Sequence, residues 1–567
     1  MAGELSVLER VDAAIEGLLA EWSIFTSVIA AALVLFGIYS VVSIKDPDVH
    51  PFLLARQSTG SPIRQAGESA TFRGLETPYG YPLRQGLGVK DPGTPKWTAG
   101  RRGDLRDIWR TAVRGALNED GTTSGKQGKI YTVLGKRAVE HTLGQVTQEI
   151  NVIGRHFQKA GVKTVAVCLT DSIEHLASIF AGSFFGFRVV LVPHGLPAAT
   201  LSAQLQKNQA DALIAEAGSL DLTFVTRNNK QLSAVLWVAH LGNQHMDWHQ
   251  VPKDVETSLD VAVWHELVEE GKDIAGFEVP EYDPAIPAPG LSTVWAFESE
   301  TGEFINFTQE NLVAAIGALG SALPRNQRVN ASDLVLSIDS LSRSYPLCQI
   351  FNALYSNASI ALNSVAGENV DFALATKGVS PTVIIASSRT MSEYHDRVMA
   401  PRAGFITSLG RWLQARTLDA GNMPSNSFLN QLTHIAPTAE LSLGKLRLLC
   451  ISHRVDADPA TRLTTEQMTD LRIYMNARVV YALTGPGIAG AITQTNVFDY
   501  RNLGGWSHFG APLSSTEITL IGVAEDGNSD DNPQGEILVS GPAVVNEKVK
   551  LPFRGRIGID NTLTLNV

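Results

Sequence analysis

The stretch Val294–Leu312, VWAFESETGEFINFTQENL, sets an apolar strand pattern, a short loop containing Thr301-Gly302 and a helix start in succession. A hydroxyl and a glycine between a strand and a helix suit a phosphate, because backbone N–H groups converge there and the helix dipole favours an anion. Glu298, Glu300 and Glu303 stand in the same loop, and no lysine accompanies them. Two like charges about 4 Å apart cost about 4 kcal/mol at an effective dielectric near 20. The loop is therefore expected to hold triphosphate poorly.

Other chemistry-bearing residues give weaker signals. GPGIAG, Gly485–Gly490, matches G-x-G-x-x-G. A dinucleotide fingerprint opens a helix and has an acid about twenty residues later; here no helix pattern follows, and Asp499 comes too soon. His175 and His194 have no Cys or carboxylate partner at metal spacing, and read as a helix-surface and a turn histidine. No metal site is expected. Cys168, Cys348 and Cys450 lie far apart in apolar contexts, as buried thiols of a reducing compartment do. The acidic run Glu525–Asp531 reads as a solvated turn. No G-x-S-x-G elbow is present.

The elements that must position such residues follow from pattern and composition. The 567 residues suffice for several cores, and 44% hydrophobic with 18% charged residues is an ordinary globular mixture. A net charge of −11 provides no field for a nucleic-acid partner. Ile24–Ile44, IFTSVIAAALVLFGIYSVVSI, has no charge and the length of a transmembrane helix. Its flanks argue against a cleaved signal peptide, since the preceding stretch is acidic; a buried core helix is the other alternative. Lys45, Arg56 and Arg64 follow the run while Arg10 alone precedes it, which places the larger part in the cytosol. The expectation is a single-pass membrane protein of the endoplasmic reticulum or a related membrane.

Residues 45–105 are rich in Pro, Gly and Arg and read as an extended linker. From Leu105, helical patterns alternate with short apolar strands: KTVAVCL, RVVLVP, DLVLSI, IALNS, TVIIAS and LRLLCIS. That rhythm implies α/β architecture, with largely parallel sheets covered on both faces. Beyond Gly505 the pattern turns to strands and turns, STEITLIGV, GEILVSG and NTLTLNV. The expected divisions are 1–23, an N-terminal segment; 24–44, the span; 45–105, the linker; 106–505, the α/β core; and 506–567, a β-rich subdomain.

Taken in order, FESETGEFINFTQENL, GKLRLLCISHRV, VVYALTGPGIAGAITQTN, HFGAPL and GEILVSGPAVV resemble the AMP-forming adenylation (AMP-binding) superfamily, and long-chain acyl-CoA synthetases most closely. The resemblance runs from about Leu105 to Val567. It implies an adenylation-enzyme large domain of stacked mixed sheets with covering helices, a small C-terminal β-rich subdomain and, in active members, ATP and Mg²⁺. It assigns Thr301 and Gly302 to the phosphate loop, Tyr481 to the adenine face and Thr484 to a phosphate contact, the one catalytic remnant.

Departures from the family pattern are concentrated where the chemistry lies. The Pro-Lys-Gly of the loop is missing, and Gly485 stands at the metal-ligating glutamate. His453 and Arg454 replace small residues at the adenine border, and Arg343 stands where a histidine is usual. Arg554-Gly555-Arg556 replaces the Thr-Gly-Asp that holds the ribose. The sequence stops at the strand after which the family continues into a lid with a catalytic lysine. The expected function is that of a membrane-anchored pseudoenzyme without cofactor, binding a fatty acyl or lipid ligand or scaffolding a lipid-metabolic protein partner. The alternative is an active long-chain fatty acid–CoA ligase.

Overall fold

The structure is a computed structural model that describes residues 17, 23–42, 46–90, 94–95, 97–117, 122, 124–135, 137–240, 242–251, 259–272, 276–296, 303–367, 369–399, 405–424, 443–523 and 532–566. Two compact units divide the chain, Met1–Asp48 and Val49–Val567.

In the first unit a helix, Ile24–Val42, spans 19 residues without a charge. At 1.5 Å per residue it is about 28 Å long, just under the about 30 Å of a hydrocarbon core. Its side chains Ile24, Phe25, Val28, Leu33 and Leu35 are exposed. Among the described residues no helix is long and apolar enough to cross a membrane. The predicted transmembrane span is therefore not supported; an apolar helix stands in its place.

The second unit contains three sheets among the described residues. In chain order the strands are β1 (Ser58–Gly60), β2 (Phe72–Gly74), β3 (Ile130–Leu134), β4 (Arg137–His141), β5 (Thr164–Cys168), β6 (Arg188–Leu191), β7 (Ala212–Glu216), β8 (Ala234–Val238), β9 (Asp260–Val263), β10 (Leu291–Ala296) and β11 (Glu303–Phe307). They continue as β12 (Leu334–Ser337), β13 (Ser359–Asn363), β14 (Val383–Ser387), β15 (Leu448–Arg454), β16 (Arg478–Thr484), β17 (Thr493–Gln494), β18 (Ala511–Pro512), β19 (Glu517–Ile521), β20 (Gln534–Ser540), β21 (Lys548–Ile557) and β22 (Leu563–Leu565).

One sheet has the order β11-β10-β6-β5-β7-β8-β9, parallel except for the β10–β11 hairpin. A second has the order β18-β17-β16-β15-β14-β12-β13-β3-β4, parallel from β16 to β3. Every residue of β5, β8 and β14 is buried, which is why these strands read as unbroken apolar runs rather than alternating ones. Helices pack between and over the sheets with ends written in the sequence. Thr142 and Gln145 form a capping box for the helix Leu143–Lys159, and Thr308 and Asn311 form one for Gln309–Ala322. Gly186, at φ +84°, closes the helix Ile173–Phe185.

The third sheet, β1-β2-β19-β20-β21-β22, is antiparallel. It corrects the reading of residues 45–105 as an extended linker: β1 and β2 are strands of the same sheet as the C-terminal strands, and Arg73 Nε meets Glu517 Oε2 at 2.7 Å. Three-residue strands carry too little alternation to be seen in sequence. The 505/506 boundary is crossed in turn, because β18 belongs to the nine-stranded sheet.

Candidate functional site

Ligands of open parallel sheets bind outside the carboxyl ends of the strands. At that edge of the nine-stranded sheet, Asp339 and Arg343 follow β12, Ser388 and Arg389 follow β14, and Arg454 and Asp458 lie at and after the end of β15. With their neighbours they enclose a cavity of about 50 Å³. Ligand pockets measure about 300–1,000 Å³, so this one has room for a few waters.

The side chains beneath the cavity explain its size. His453 on β15 is fully buried. Its ring lies 5.6 Å from that of Phe509 at an interplanar angle of 23°. Tyr481, also fully buried, packs against Phe509 at 4.7 Å, and its hydroxyl accepts the Leu463 N–H at 3.2 Å. Burial raises the Tyr481 phenol pKa, so the group stays neutral. The Thr484 hydroxyl donates to the His453 carbonyl at 3.1 Å. A Cβ on Gly485 would meet Ile492 Cδ1 at 2.9 Å, Ile488 Cδ1 at 3.1 Å and Leu551 Cδ1 at 3.3 Å, an aliphatic wall.

Ser388 Oγ and His453 Nδ1 lie 2.8 Å apart, the spacing of a nucleophile and its base. Burial, with help from the Arg462 charge, pushes the His453 pKa down to about 3. So weak a base leaves the Ser388 hydroxyl unactivated near neutral pH.

Thr301 and Gly302 lie outside the described residues, as do Glu298, Glu300 and the acidic run Glu525–Asp531. The flanks of the loop are β10 and β11, so it joins two strands instead of leading into a helix; the helix begins only at the Thr308 cap. Trp295 Nε1 on β10 donates to Asp456 Oδ2 at 3.0 Å. Arg454 grips that carboxylate through Nε and Nη2, each at 2.9 Å, with its guanidinium 5.2 Å from the Trp295 ring centre. This clamp ties the hairpin to the end of β15.

A larger space adjoins this edge. Arg462, Trp506, Phe509, Arg556 and Leu565 line a cavity of about 350 Å³. Arg462 donates to the Leu565 carbonyl at 3.3 Å, while its Nε is buried without a partner.

Sequence reasoning missed a cluster on the other sheet. In the order β6-β5-β7, the chain passes from β5 to one neighbour and then to the other, which makes a crevice at their carboxyl ends. There Glu216 accepts hydrogen bonds from the Thr170 N–H at 3.1 Å and the Thr170 hydroxyl at 2.5 Å. His194 Nε2 lies 3.2 Å from Glu216 Oε2, and His240 Nε2 lies 3.4 Å from it. Burial opposes the Glu216 charge, but the His194 and Thr170 hydrogen bonds outweigh it and bring the carboxyl to about 2. His194 thus has a carboxylate partner, unlike its sequence reading. His175 is corrected too: it is fully buried, 3.8 Å from Asp171, and burial pushes it down to about 4. Among the described residues no group of His, Cys, Asp and Glu is arranged to hold a metal ion.

No protein-family model matches the sequence. A putative uncharacterized protein of Saccharomyces cerevisiae, YHR045W, is 23% identical over 499 residues, 81% of this chain and 78% of its own length. Among solved structures, the anthranilate CoA ligase AuaEII in complex with anthranoyl-AMP superposes with a TM-score of 0.58 at 13% identity, over 84% of this chain and 79% of its own. VinN with L-aspartate gives 0.55 at 15% identity, covering 86% of this chain and all of its own. The N-terminal domain of FACL13 from Mycobacterium tuberculosis gives 0.55 at 11% identity, covering 82% and 100%.

This chain has the fold of the AMP-forming adenylation superfamily. Of the residues assigned by resemblance, Tyr481 lies in the middle of β16 and Thr484 at its carboxyl end, and their functional atoms are engaged elsewhere. The Tyr481 ring meets Phe509, the Thr484 hydroxyl meets a carbonyl, and the Gly485 position faces Ile492. The three cysteines are free and buried, as read from the sequence, and burial pushes each thiol up to about 12.

Proposed function

We propose that this protein is a pseudoenzyme of the adenylation fold that binds an acyl or lipid carboxylate instead of activating it with ATP. The observation that carries the reading is the exchange of one site for another. The described nucleotide edge has shrunk to about 50 Å³, while the cavity beside it offers about 350 Å³ between two guanidiniums and the apolar surfaces of Trp506, Phe509 and Leu565. An arginine fork matches a carboxylate bidentately, and the aromatic and aliphatic walls suit the start of an acyl chain. Mg-ATP does not fit the described edge, because its adenine face is covered and its metal position is aliphatic.

The apolar helix Ile24–Val42 supports a second part of the reading, attachment to a membrane such as that of the endoplasmic reticulum, since Ile24, Phe25, Val28, Leu33 and Leu35 are exposed on it. Lipid-metabolic proteins on that surface are the partners such a scaffold would serve. The likeness to AuaEII favours the competing reading, a working acyl-CoA ligase.

Displacement of a fluorescent fatty acid from the full-length protein tests the binding. Oleate is expected to compete, and Arg462→Ala with Arg556→Ala to weaken it at least tenfold, while ATP has no effect. Oleate binding that ignores both substitutions would reject the site.

A further inference from the structure

A second cavity lies at the other end of the helix Ser344–Tyr355. Arg343 caps the start of this helix beside the nucleotide edge. Asn352 and Tyr355 sit in its last turn, and twelve residues at 1.5 Å each put the two ends about 18 Å apart. The cavity there measures about 300 Å³ and is lined by Arg84, Gly317, Gly320, Arg328, Asn352 and Tyr355, among others.

Its polar lining is rich in donors that the protein leaves unused. Among the described residues, Arg84 makes one long side-chain bond, 3.5 Å to the Gly86 carbonyl, and Arg328 makes one, 3.1 Å from Nε to the Leu323 carbonyl. Each guanidinium has five N–H donors. Glu76, the carboxyl near enough to feel both, accepts from Ser321 Oγ at 2.9 Å; burial raises its pKa against the pull of Ser321 and the two arginines. Asn352 is 5% exposed, and among the described residues its amide has no hydrogen-bond partner; nor has the Tyr355 hydroxyl. The Asn352 amide and the Tyr355 hydroxyl thus open on the cavity, where they can serve a ligand. Two glycines keep the space in shape. A Cβ on Gly317 would lie 2.6 Å from the Gly86 carbonyl oxygen, and one on Gly320 would lie 2.6 Å from Asn352 Oδ1.

We propose that this cavity is a binding site for a small phosphoryl-bearing anion, with Arg84 and Arg328 as the charge partners and Asn352 and Tyr355 as the neutral donors. Arg84 and Arg328 together with the neutral donors of Asn352 and Tyr355 can meet more oxygens than a carboxylate carries, as a phosphoryl group offers. The site is separate from the oleate cavity and does not depend on it.

The test is calorimetric titration of the full-length protein with inorganic phosphate, inorganic pyrophosphate and acetate. Phosphate or pyrophosphate is expected to bind, more weakly as salt rises, and acetate at least tenfold more weakly. Arg328→Ala removes an exposed side chain and leaves the fold intact; it is expected to lower affinity at least tenfold. Asn352→Leu, checked by its unfolding midpoint, is expected to do the same, whereas Arg556→Ala leaves phosphate binding unchanged. Absence of phosphate and pyrophosphate binding to the wild type, or binding that Arg328→Ala leaves unaltered, would overturn the proposal.

Discussion

Gly485→Glu, which puts a carboxylate where the resemblance places a metal-ligating glutamate, is expected to destabilise the protein and not to create metal binding. The first atom alone is crowded: an added Cβ would stand 2.9 Å from Ile492 Cδ1 and 3.1 Å from Ile488 Cδ1. These are ends of flexible side chains, so Gly485→Ala is expected to cost about 1–3 kcal/mol, the range of core overpacking. The glutamate adds a carboxyl among aliphatic carbons with no donor in reach. Burying such a group unpaired brings the total to at least about 3 kcal/mol. The added carboxyl would have its pKa raised in the folded state only. Its penalty is therefore smallest below the unfolded value near 4.3 and grows as pH rises, by about 1.4 kcal/mol per pH unit, until the folded value is passed. Urea unfolding at pH 5 and pH 8 reads this directly: the gap between Gly485→Glu and wild type is expected to widen at pH 8, while that of Gly485→Ala stays constant. A Gly485→Glu protein that unfolds with the wild type and binds Mg²⁺ would refute the aliphatic wall.

Three further outcomes follow from groups outside that wall. Asp499 is held by Arg501 Nη2 at 2.6 Å, His508 Nε2 at 3.2 Å and Gln57 Nε2 at 2.7 Å, so Asp499→Ala is expected to cost about 3–5 kcal/mol by taking the carboxylate from the buried His508 and Gln57, although Arg501 keeps Asp560 at 2.8 Å. Burial alone would raise the Asp499 pKa, but Arg501 and His508 hold it far below the usual range. Its contribution is thus present above about pH 4 and lost on acidification, and the variant's urea midpoint should fall less than the wild type's between pH 4 and pH 2. Glu149, raised by burial to about 8 with Trp264 Nε1 donating at 3.0 Å, stabilises the fold most below its unfolded value and loses that contribution as pH rises toward 8. Glu149→Gln should flatten the decline in the urea midpoint between pH 5 and pH 8. Gly154 packs against Phe185, whose ring would lie 2.0 Å from an added Cβ; Gly154→Ala is expected to destabilise the fold by about 1–3 kcal/mol, read as a lower urea midpoint.

The parallel core was legible because its strands are apolar on both faces: KTVAVC, TVIIAS and LRLLCIS name themselves. The strands Ser58–Gly60 and Phe72–Gly74 were not legible, since three residues carry little alternation and the sheet they join is reached only through Ile518, more than 440 residues beyond Phe72. His175 looked like a surface residue because one polar side chain in an apolar helix is usually the exposed one; here the helix Ile173–Phe185 is buried nearly all round. At the candidate site, the replaced residues could be read one by one, Gly485 and Arg556 among them. What fills the space could not, because Phe509 and His453 meet only through the folded sheet. The Glu216 cluster escaped for the same reason: Thr170, His194 and His240 follow different strands and converge at a sheet edge.

The most direct measurement is fatty-acid-dependent ATP–pyrophosphate exchange by the purified full-length protein with Mg²⁺, beside a competent acyl-CoA ligase. The expected result is no exchange above the protein-free background, with oleate still bound in the displacement assay. Exchange that rises with oleate and disappears without Mg²⁺ would contradict the pseudoenzyme reading and establish a working adenylation site.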